Sequence, residues 1–220
     1  MTQTLISQDA VDLIVAEEVT GEQTYNKRYR HPEKPGGGSG VTVGIGYDVG
    51  AGVKNKAQLH ADWDGHIPDA MIVALEPCIG VTGDRARQLL HKVRDKVDVP
   101  WEAAMAVFDQ VDVPRWYNIC KQHLPNFEEL SLDCRGVLVS LAYNRGPSFD
   151  TAGDRYREMR DIKVNMEARH FSLIPADLRS MKRLWTTASV RGVALRREHE
   201  ARLFEKGLTL MAQNTYNRGP

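Results

Sequence analysis

The chain has no excess of either charge. Its 29 Lys and Arg offset 29 Asp and Glu across 220 residues, so nothing in that balance asks for nucleic acid or an anionic membrane surface. Cysteine is scarce: Cys78, Cys120 and Cys134 are odd in number and form no C-x-x-C pair, which argues for reduced, buried thiols rather than a disulfide frame. There is no apolar run of about 18 residues to cross a bilayer. Residues 1–9, MTQTLISQD, lack the basic and apolar regions of a signal peptide. The expectation is a protein made in the cytoplasm, so a substrate outside it requires release or delivery by other machinery. The glycine tract Gly36-Gly37-Gly38 runs into Ser39 without the Gly-Lys-Ser/Thr ending of a P-loop. His60, Asp62, Asp64 and His66 match no zinc or EF-hand spacing, so neither a metal nor another cofactor is expected.

What is present is an ordinary globular composition, 42% hydrophobic and 26% charged, enough for one good core. Ser7 stands where an N-cap belongs, and Val11, Ile14, Val15 and Glu18 follow the helical stripe, which predicts a first helix to about residue 18. Glu17 lies about 100° away, on the flank of that stripe beside Leu13. Residues 21–40 are polar and turn-rich, with Pro32 and Pro35, and read as a surface loop. Residues 55–110 read as short helices broken by Pro68, Pro77, Gly80 and Pro100, with a helix start at Thr82-Gly83-Asp84. The segment from Leu130 to Tyr143 is apolar on most of its circumference and is expected to be the buried central helix, stopped by Asn144-Arg145-Gly146-Pro147. Residues 154–171 and 176–206 read as basic amphipathic helices, with a loosely held tail from Leu208. The arginines between 179 and 202 suit either a solvated helical face or an anionic ligand. Trp63, Trp101, Trp116 and Trp185 are expected to be core anchors rather than sugar platforms.

The segment Ser39-Gly40-Val41-Thr42-Val43-Gly44-Ile45-Gly46-Tyr47-Asp48 alternates β-formers with glycine, which suits a tight hairpin. Thr42, Gly44, Gly46 and Asp48 share one parity, and Val41, Val43, Ile45 and Tyr47 the other. On a straight strand Thr42 and Asp48 would stand about 20 Å apart at roughly 3.3 Å per residue. If the chain reverses near Ile45-Gly46, they face each other with Cβ atoms about 5 Å apart. A hydroxyl and a carboxylate beside glycines would then line one groove. A carboxyl such as Glu18, on the apolar stripe of a helix, is costly to ionise and suits a general acid in glycoside hydrolysis. Taken alone, a Glu in a terminal helical turn is more often solvated. The second carboxylate and the hydroxyl downstream give it a mechanistic context, because an inverting glycosidase needs a base-side group that acts on water.

These features, in their order along the chain, resemble the phage-type lysozymes. The resemblance rests on a helix ending in Glu, the Thr-x-Gly-x-Gly hairpin, the stretch Leu138-Val139-Ser140-Leu141-Ala142-Tyr143-Asn144-Arg145-Gly146, Trp185, and the stretch Gly192-Val193-Ala194-Leu195-Arg196-Arg197-Glu198-His199-Glu200. It covers most of the chain as separated motifs. It implies a mainly α (α+β), lysozyme-like fold. A single domain over 1–207 would comprise a small β-hairpin lobe at about 19–53 and a larger helical lobe at about 54–207 with helix 1, followed by the tail 208–220.

The resemblance also implies roles. Glu18 falls in the place of the catalytic acid, with Glu17 the neighbouring alternative, and Thr42 in that of the water-positioning residue. Most phage-type enzymes carry the second acid about one turn before the Thr, where this chain has Pro35-Gly36-Gly37-Gly38. The pesticin-like branch carries it after the hairpin turn, which matches Asp48 and leaves Glu33 as the alternative. An arginine near the C-terminus pairs with the catalytic Glu in this family, which points to Arg196, with Arg191 in reserve. Gly44, Gly46, Tyr47 and Asn144 would support or bind substrate. The implied activity is hydrolysis of the β-1,4 bond between N-acetylmuramic acid and N-acetylglucosamine. Lytic transglycosylation of the same bond and a catalytically silent glycan-binding module are the rival readings. The implied partner is the peptidoglycan glycan strand. The chain would be a monomer, released as an endolysin through a holin or delivered as a toxin with a cognate immunity protein.

Overall fold

The computed structural model describes residues 4–187 and 191–217. The chain divides into two compact units, Val15–Val113 and the combination of residues up to Ile14 with Pro114 onward. Helix α1 (Gln8–Val19) gives its start to one unit and its last turn to the other. Ser7 caps it as expected, its Oγ accepting from the Ala10 amide at 3.2 Å.

In the Val15–Val113 unit, α1 is followed by α2 (Glu22–Arg28) and an antiparallel hairpin of β1 (Thr42–Val43) and β2 (Tyr47–Asp48). Then come α3 (Val49–Gly52), α4 (Lys56–Trp63), α5 (Asp69–Leu75), α6 (Gly83–Val93) and α7 (Trp101–Val107). The short helices break at Pro68, Gly80 and Pro100 as the sequence requires. α2 corrects the expectation of a surface loop over the whole of 21–40. It has no apolar stripe, no side-chain cap and one buried residue, Tyr25. Its anchor is a long-range bond from the Tyr25 hydroxyl to the Val99 carbonyl at 2.9 Å, with the Tyr25 ring against Trp101. Tertiary contact, not helix propensity, fixes this turn.

The hairpin reverses where expected. Thr42 pairs with Asp48 and Val43 with Tyr47, across Gly44 and Gly46, whose φ of 60° and 81° exclude most other residues. Val41, Val43, Ile45 and Tyr47 are all buried, as their shared parity demanded. The Tyr47 ring meets Trp63 edge-on at 5.3 Å, and its hydroxyl donates to Asp62 Oδ2 at 2.6 Å. The hairpin is thereby seated on α4.

A π-helical turn, Phe108–Asp112, closes the Val15–Val113 unit and leads into α8 (Val113–His123), all but the first residue of which belongs to the other unit with α9 (Leu132–Arg145), α10 (Arg157–Glu167), α11 (Ile174–Ser180) and α12 (Arg191–Asn217). α9 is the buried helix that its composition predicts. Ser131 caps it, Gly146 at φ 72° ends it, and residues 133–142 along it are buried except Arg135. Gly136 lies against Ala10 so closely that an added Cβ would sit 2.1 Å from the Ala10 Cβ. Two helical spans need correction. Residues 154–171 hold 3-10 turns at both ends of α10, and 176–206 is not one helix, since a 3-10 turn, Met181–Leu184, ends the α11 segment before α12 begins. Thr186 and Thr187 follow that turn, and their β-branched hydroxyl side chains favour non-helical backbone. α12 continues through Asn217, so the segment from Leu208 begins as helix rather than as a loose tail.

Cys78, Cys120 and Cys134 are buried free thiols, and burial pushes the Cys78 and Cys134 thiols up to about 11 and about 12. Trp63 is fully buried, whereas Trp101, Trp116 and Trp185 are only partly so. No described helix is long and apolar enough to cross a membrane.

Candidate active site

Three short pieces of chain in the Val15–Val113 unit build a groove of about 80 Å³, lined by Glu18, Tyr29, Glu33, Thr42, Gly44 and Gly46 among others. Glu18 comes from the last turn of α1. That helix ends abruptly at Thr20, whose φ of 66° is a left-handed conformation that a β-branched residue rarely adopts. Such strain, of order 1–3 kcal/mol, persists where surrounding structure over-determines it and is concentrated at functional sites. Glu18 is half-buried at the groove. Glu17, next to it and also half-buried, does not line the groove.

Thr42 stands at the centre of a row of three paired residues. On one side it pairs with Asp48 through the hairpin register. On the other it forms a bridge to Glu33, with Glu33 N to Thr42 O at 2.9 Å and Thr42 N to Glu33 O at 2.8 Å. Directly opposed residues on neighbouring strands present their side chains to the same face, with Cβ atoms about 5 Å apart. Glu33, Thr42 and Asp48 therefore share one face. The two acids are held differently. Glu33 lines the groove and receives the Arg94 Nη1 on Oε1 at 2.6 Å, while the same nitrogen donates to the Pro32 carbonyl at 2.8 Å. Asp48 does not line the groove. Its carboxylate caps α3, with Gly50 N and Ala51 N each 2.9 Å from Oδ1, and accepts from Gly40 N at 3.1 Å on Oδ2.

Glycine is required here by space. A Cβ on Gly40 would lie 2.4 Å from the Gly50 Cα and 2.6 Å from Asp48 Oδ1. A Cβ on Gly50 would lie 2.2 Å from the Val81 carbonyl oxygen. Gly40 and Gly50 thus let two backbones touch beneath the hairpin, while Gly44 and Gly46 line the groove. Tyr47, the remaining hairpin candidate, is 4% exposed and supports the hairpin from its core side.

Asn144 and Arg196 belong to the other unit. Asn144 lies in the last turn of α9 and its Oδ1 accepts from Arg197 Nη2 at 3.4 Å. Arg196 Nε donates to Glu200 Oε1 at 3.2 Å, and its Nη2 donates to Ser140 O and Oγ at 3.1 and 3.0 Å. Glu200 Oε1 also accepts from Ser140 Oγ at 2.7 Å and Arg197 Nη2 at 2.8 Å. All of Glu200, Arg196 and Arg197 are buried. The Arg-Arg-x-x-Glu spacing thus forms a desolvated ion cluster on α9, where loss of one member would strand a buried charge. Arg191, the reserve candidate, is exposed at the start of α12.

Sequence reasoning held Glu33 only as an alternative and missed Arg94, since 61 residues separate this pair and no local pattern links them. His60 pairs with Glu76 at 3.0 Å and Asp62 takes the Tyr47 hydroxyl. Among the described residues, no group of three or more His, Cys, Asp or Glu is arranged to hold a metal ion.

The chemistry gathered in the groove is a half-buried carboxyl, a hydroxyl, a second carboxyl and the glycine backbone of Gly44 and Gly46. At about 80 Å³ it is far smaller than the roughly 300–1,000 Å³ of a typical whole-ligand pocket. It has room for two or three waters, at about 30 Å³ each, or for the reacting edge of a larger ligand. A family model described as "Pesticin: Bacterial toxin homologue of phage lysozyme, C-term" matches residues 10–161, a span that contains most of α1, the hairpin and α9. No curated protein sequence matches the chain significantly.

Proposed function

Because the chain belongs to the pesticin family of bacterial toxin homologues of phage lysozyme, we propose that it is an N-acetylmuramidase. It cleaves the β-1,4 bond between N-acetylmuramic acid and N-acetylglucosamine in peptidoglycan. The observation that carries this reading is the groove itself, in which Glu18 from a helix end and Thr42 from the hairpin line one small space. In the proposed reaction Glu18 is the general acid that protonates the glycosidic oxygen as the bond breaks. The Thr42 hydroxyl holds the attacking water, and Asp48 is the second acid on the same face of the hairpin. Gly44 and Gly46 line the groove where the sugar would approach. The substrate would be reached outside the cytoplasm, and a toxin of this kind would require an immunity protein in its producer.

The test is loss of turbidity of purified peptidoglycan sacculi. Glu18→Gln is expected to lower the rate by about 10²–10⁴-fold, the usual contribution of a general acid. Thr42→Ala is expected to lower it by about 10-fold, the worth of one hydrogen bond to the water. Glu17→Gln should leave the rate near wild type. Full activity in Glu18→Gln would remove the mechanism.

A further inference from the structure

One wall of the groove is fastened from behind along its whole length. It is carried by residues 25–33, a polar segment in which α2 buries Tyr25 alone. A second segment, residues 94–99, consists of a 3-10 turn (Arg94–Lys96) and the extended chain after it, and it holds this wall at successive positions. The Val99 carbonyl accepts from the Tyr25 hydroxyl, and the Val99 amide donates to the Arg30 carbonyl at 2.8 Å. Arg30 Nε and Nη2 donate to the two Asp98 carboxylate oxygens at 2.7 Å each, and His31 Nδ1 bonds to the Val97 carbonyl at 2.9 Å. Arg94 ends the series through one nitrogen that reaches both the Pro32 carbonyl and Glu33 Oε1. Val97 and Val99 are fully buried, so the supporting segment is itself anchored in the core. On its other edge Glu33 is fixed by the backbone bridge to Thr42.

The polar groups that this wall brings to the groove are not used by the fold. Tyr29 and Glu33 both line the groove, and the Tyr29 hydroxyl and Glu33 Oε2 bond to no described residue. With side chains 37% and 40% exposed, the Glu33–Arg94 pair adds little to stability. What the pair does is fix the direction of the carboxylate, since one oxygen is tied and the other is left open. Arg94 stands behind Glu33 and is absent from the lining, which holds two carboxyls, Glu18 and Glu33, and neither lysine nor arginine. Such a surface favours a neutral group that offers O–H or N–H donors and disfavours an anion. Locking a polar side chain by a bond from behind is how a recognition site is pre-organised.

We propose that Tyr29 and Glu33 form a specificity wall that binds a neutral N-acetylhexosamine ring of the glycan strand. Glu33 Oε2 accepts from an O–H or N–H of that ring, and Arg94 is the positioning residue that aims it. The sugar assignment rests on the muramidase reading. Glu33 then selects substrate and takes no part in the proton and water steps given to Glu18, Thr42 and Asp48.

The experiment measures initial rates of hydrolysis of soluble, uncrosslinked glycan strands by the full-length protein. In parallel, calorimetry follows binding of a neutral β-1,4-linked N-acetylglucosamine tetramer. Glu33→Gln should raise KM for the strands and Kd for the tetramer by about 10-fold, the loss of one charge-assisted hydrogen bond, and the effect should fall on KM rather than kcat. Arg94→Gln should do the same, and Arg94→Lys, which keeps the charge and a donor, should regain most of the affinity. The Glu33→Gln/Arg94→Gln double variant should be no weaker than either single one, because Arg94 acts through Glu33. Additive losses in the double variant would make Arg94 merely structural and overturn its positioning role. A fall in kcat of about 100-fold or more at unchanged KM in Glu33→Gln would make Glu33 the second acid and overturn the wall. Wild-type KM and Kd in Glu33→Gln would overturn it as well. Tetramer binding that depends on Glu33 in a chain with no hydrolysis would sink the muramidase reading and keep the wall; hydrolysis with tetramer affinity independent of Glu33 would do the reverse.

Discussion

Truncation of Asp48 to alanine removes one carboxylate that serves three backbone amides, Gly50 and Ala51 at the start of α3 and Gly40 on the approach to the hairpin. Loss of a helix cap costs about 1 kcal/mol. Gly40 is buried, and leaving its amide unsatisfied adds about 1–3 kcal/mol. The sum, about 2–4 kcal/mol, corresponds to a fall in melting temperature of about 5–15 °C for a chain of this size. Asp48→Asn is the informative companion. Its Oδ1 can still cap α3, since Asn caps about as well as Asp, and keeps the 3.2 Å bond from Gly40 N, but its Nδ2 stands where Oδ2 accepted from that amide, donor against donor. The cost should be about 1–2 kcal/mol. If Asp48 is also the second acid, Asp48→Asn loses most of its sacculus activity while its melting temperature falls only by a few degrees. Melting followed by circular dichroism, with turbidity on the same preparations, separates the two roles. An Asp48→Ala protein that melts within a degree of wild type refutes the capping geometry. An Asp48→Asn protein with wild-type activity refutes the assignment of the second acid and transfers it to Glu33, which already lines the groove.

Three further outcomes follow from the structure. Thr20→Gly relieves the left-handed strain beside Glu18 and should raise the melting temperature by about 2–4 °C, for about 1 kcal/mol; no rise would show that Thr20 is not strained. Burial pushes the Asp177 carboxyl up to about 6, although Asn165 bonds to it. Because its folded pKa lies above the unfolded value of about 3.9, the ionised group destabilises the fold above about pH 6 and has no effect below about pH 4. Asp177→Asn should therefore melt higher than wild type at pH 7.5 and equally at pH 4, and the opposite order in a pH series of melting curves would count against it. Mass spectrometry of the released muropeptides should find reducing ends, whereas anhydro-sugars would replace hydrolysis with lytic transglycosylation.

Several elements were legible from residue order because their determinants are local. Ser7 and Ser131 cap their helices, Gly146 ends α9, and the one-face parity of Val41, Val43, Ile45 and Tyr47 put the hairpin on its core. The same parity places Thr42 opposite Asp48 once the chain reverses near Ile45-Gly46. α2 was not legible, since a seven-residue polar segment becomes a helix only when Tyr25 finds the Val99 carbonyl. Nor was the break between α11 and α12, where an amphipathic pattern runs across a 3-10 turn.

By itself, then, the amino-acid order determined the alternation that folds the hairpin, the buried character of α9 and the facing of Thr42 and Asp48, because these depend on spacing over a few residues. Tertiary structure decided how that chemistry is held. It tied Glu33 to Arg94, turned the Asp48 carboxylate onto three amides, and closed Arg196, Arg197 and Glu200 into a cluster on Ser140. For Glu33 and the arginine cluster, the decisive partners are tens of residues away along the chain. For Asp48, they are amides whose direction exists only once the backbone has turned.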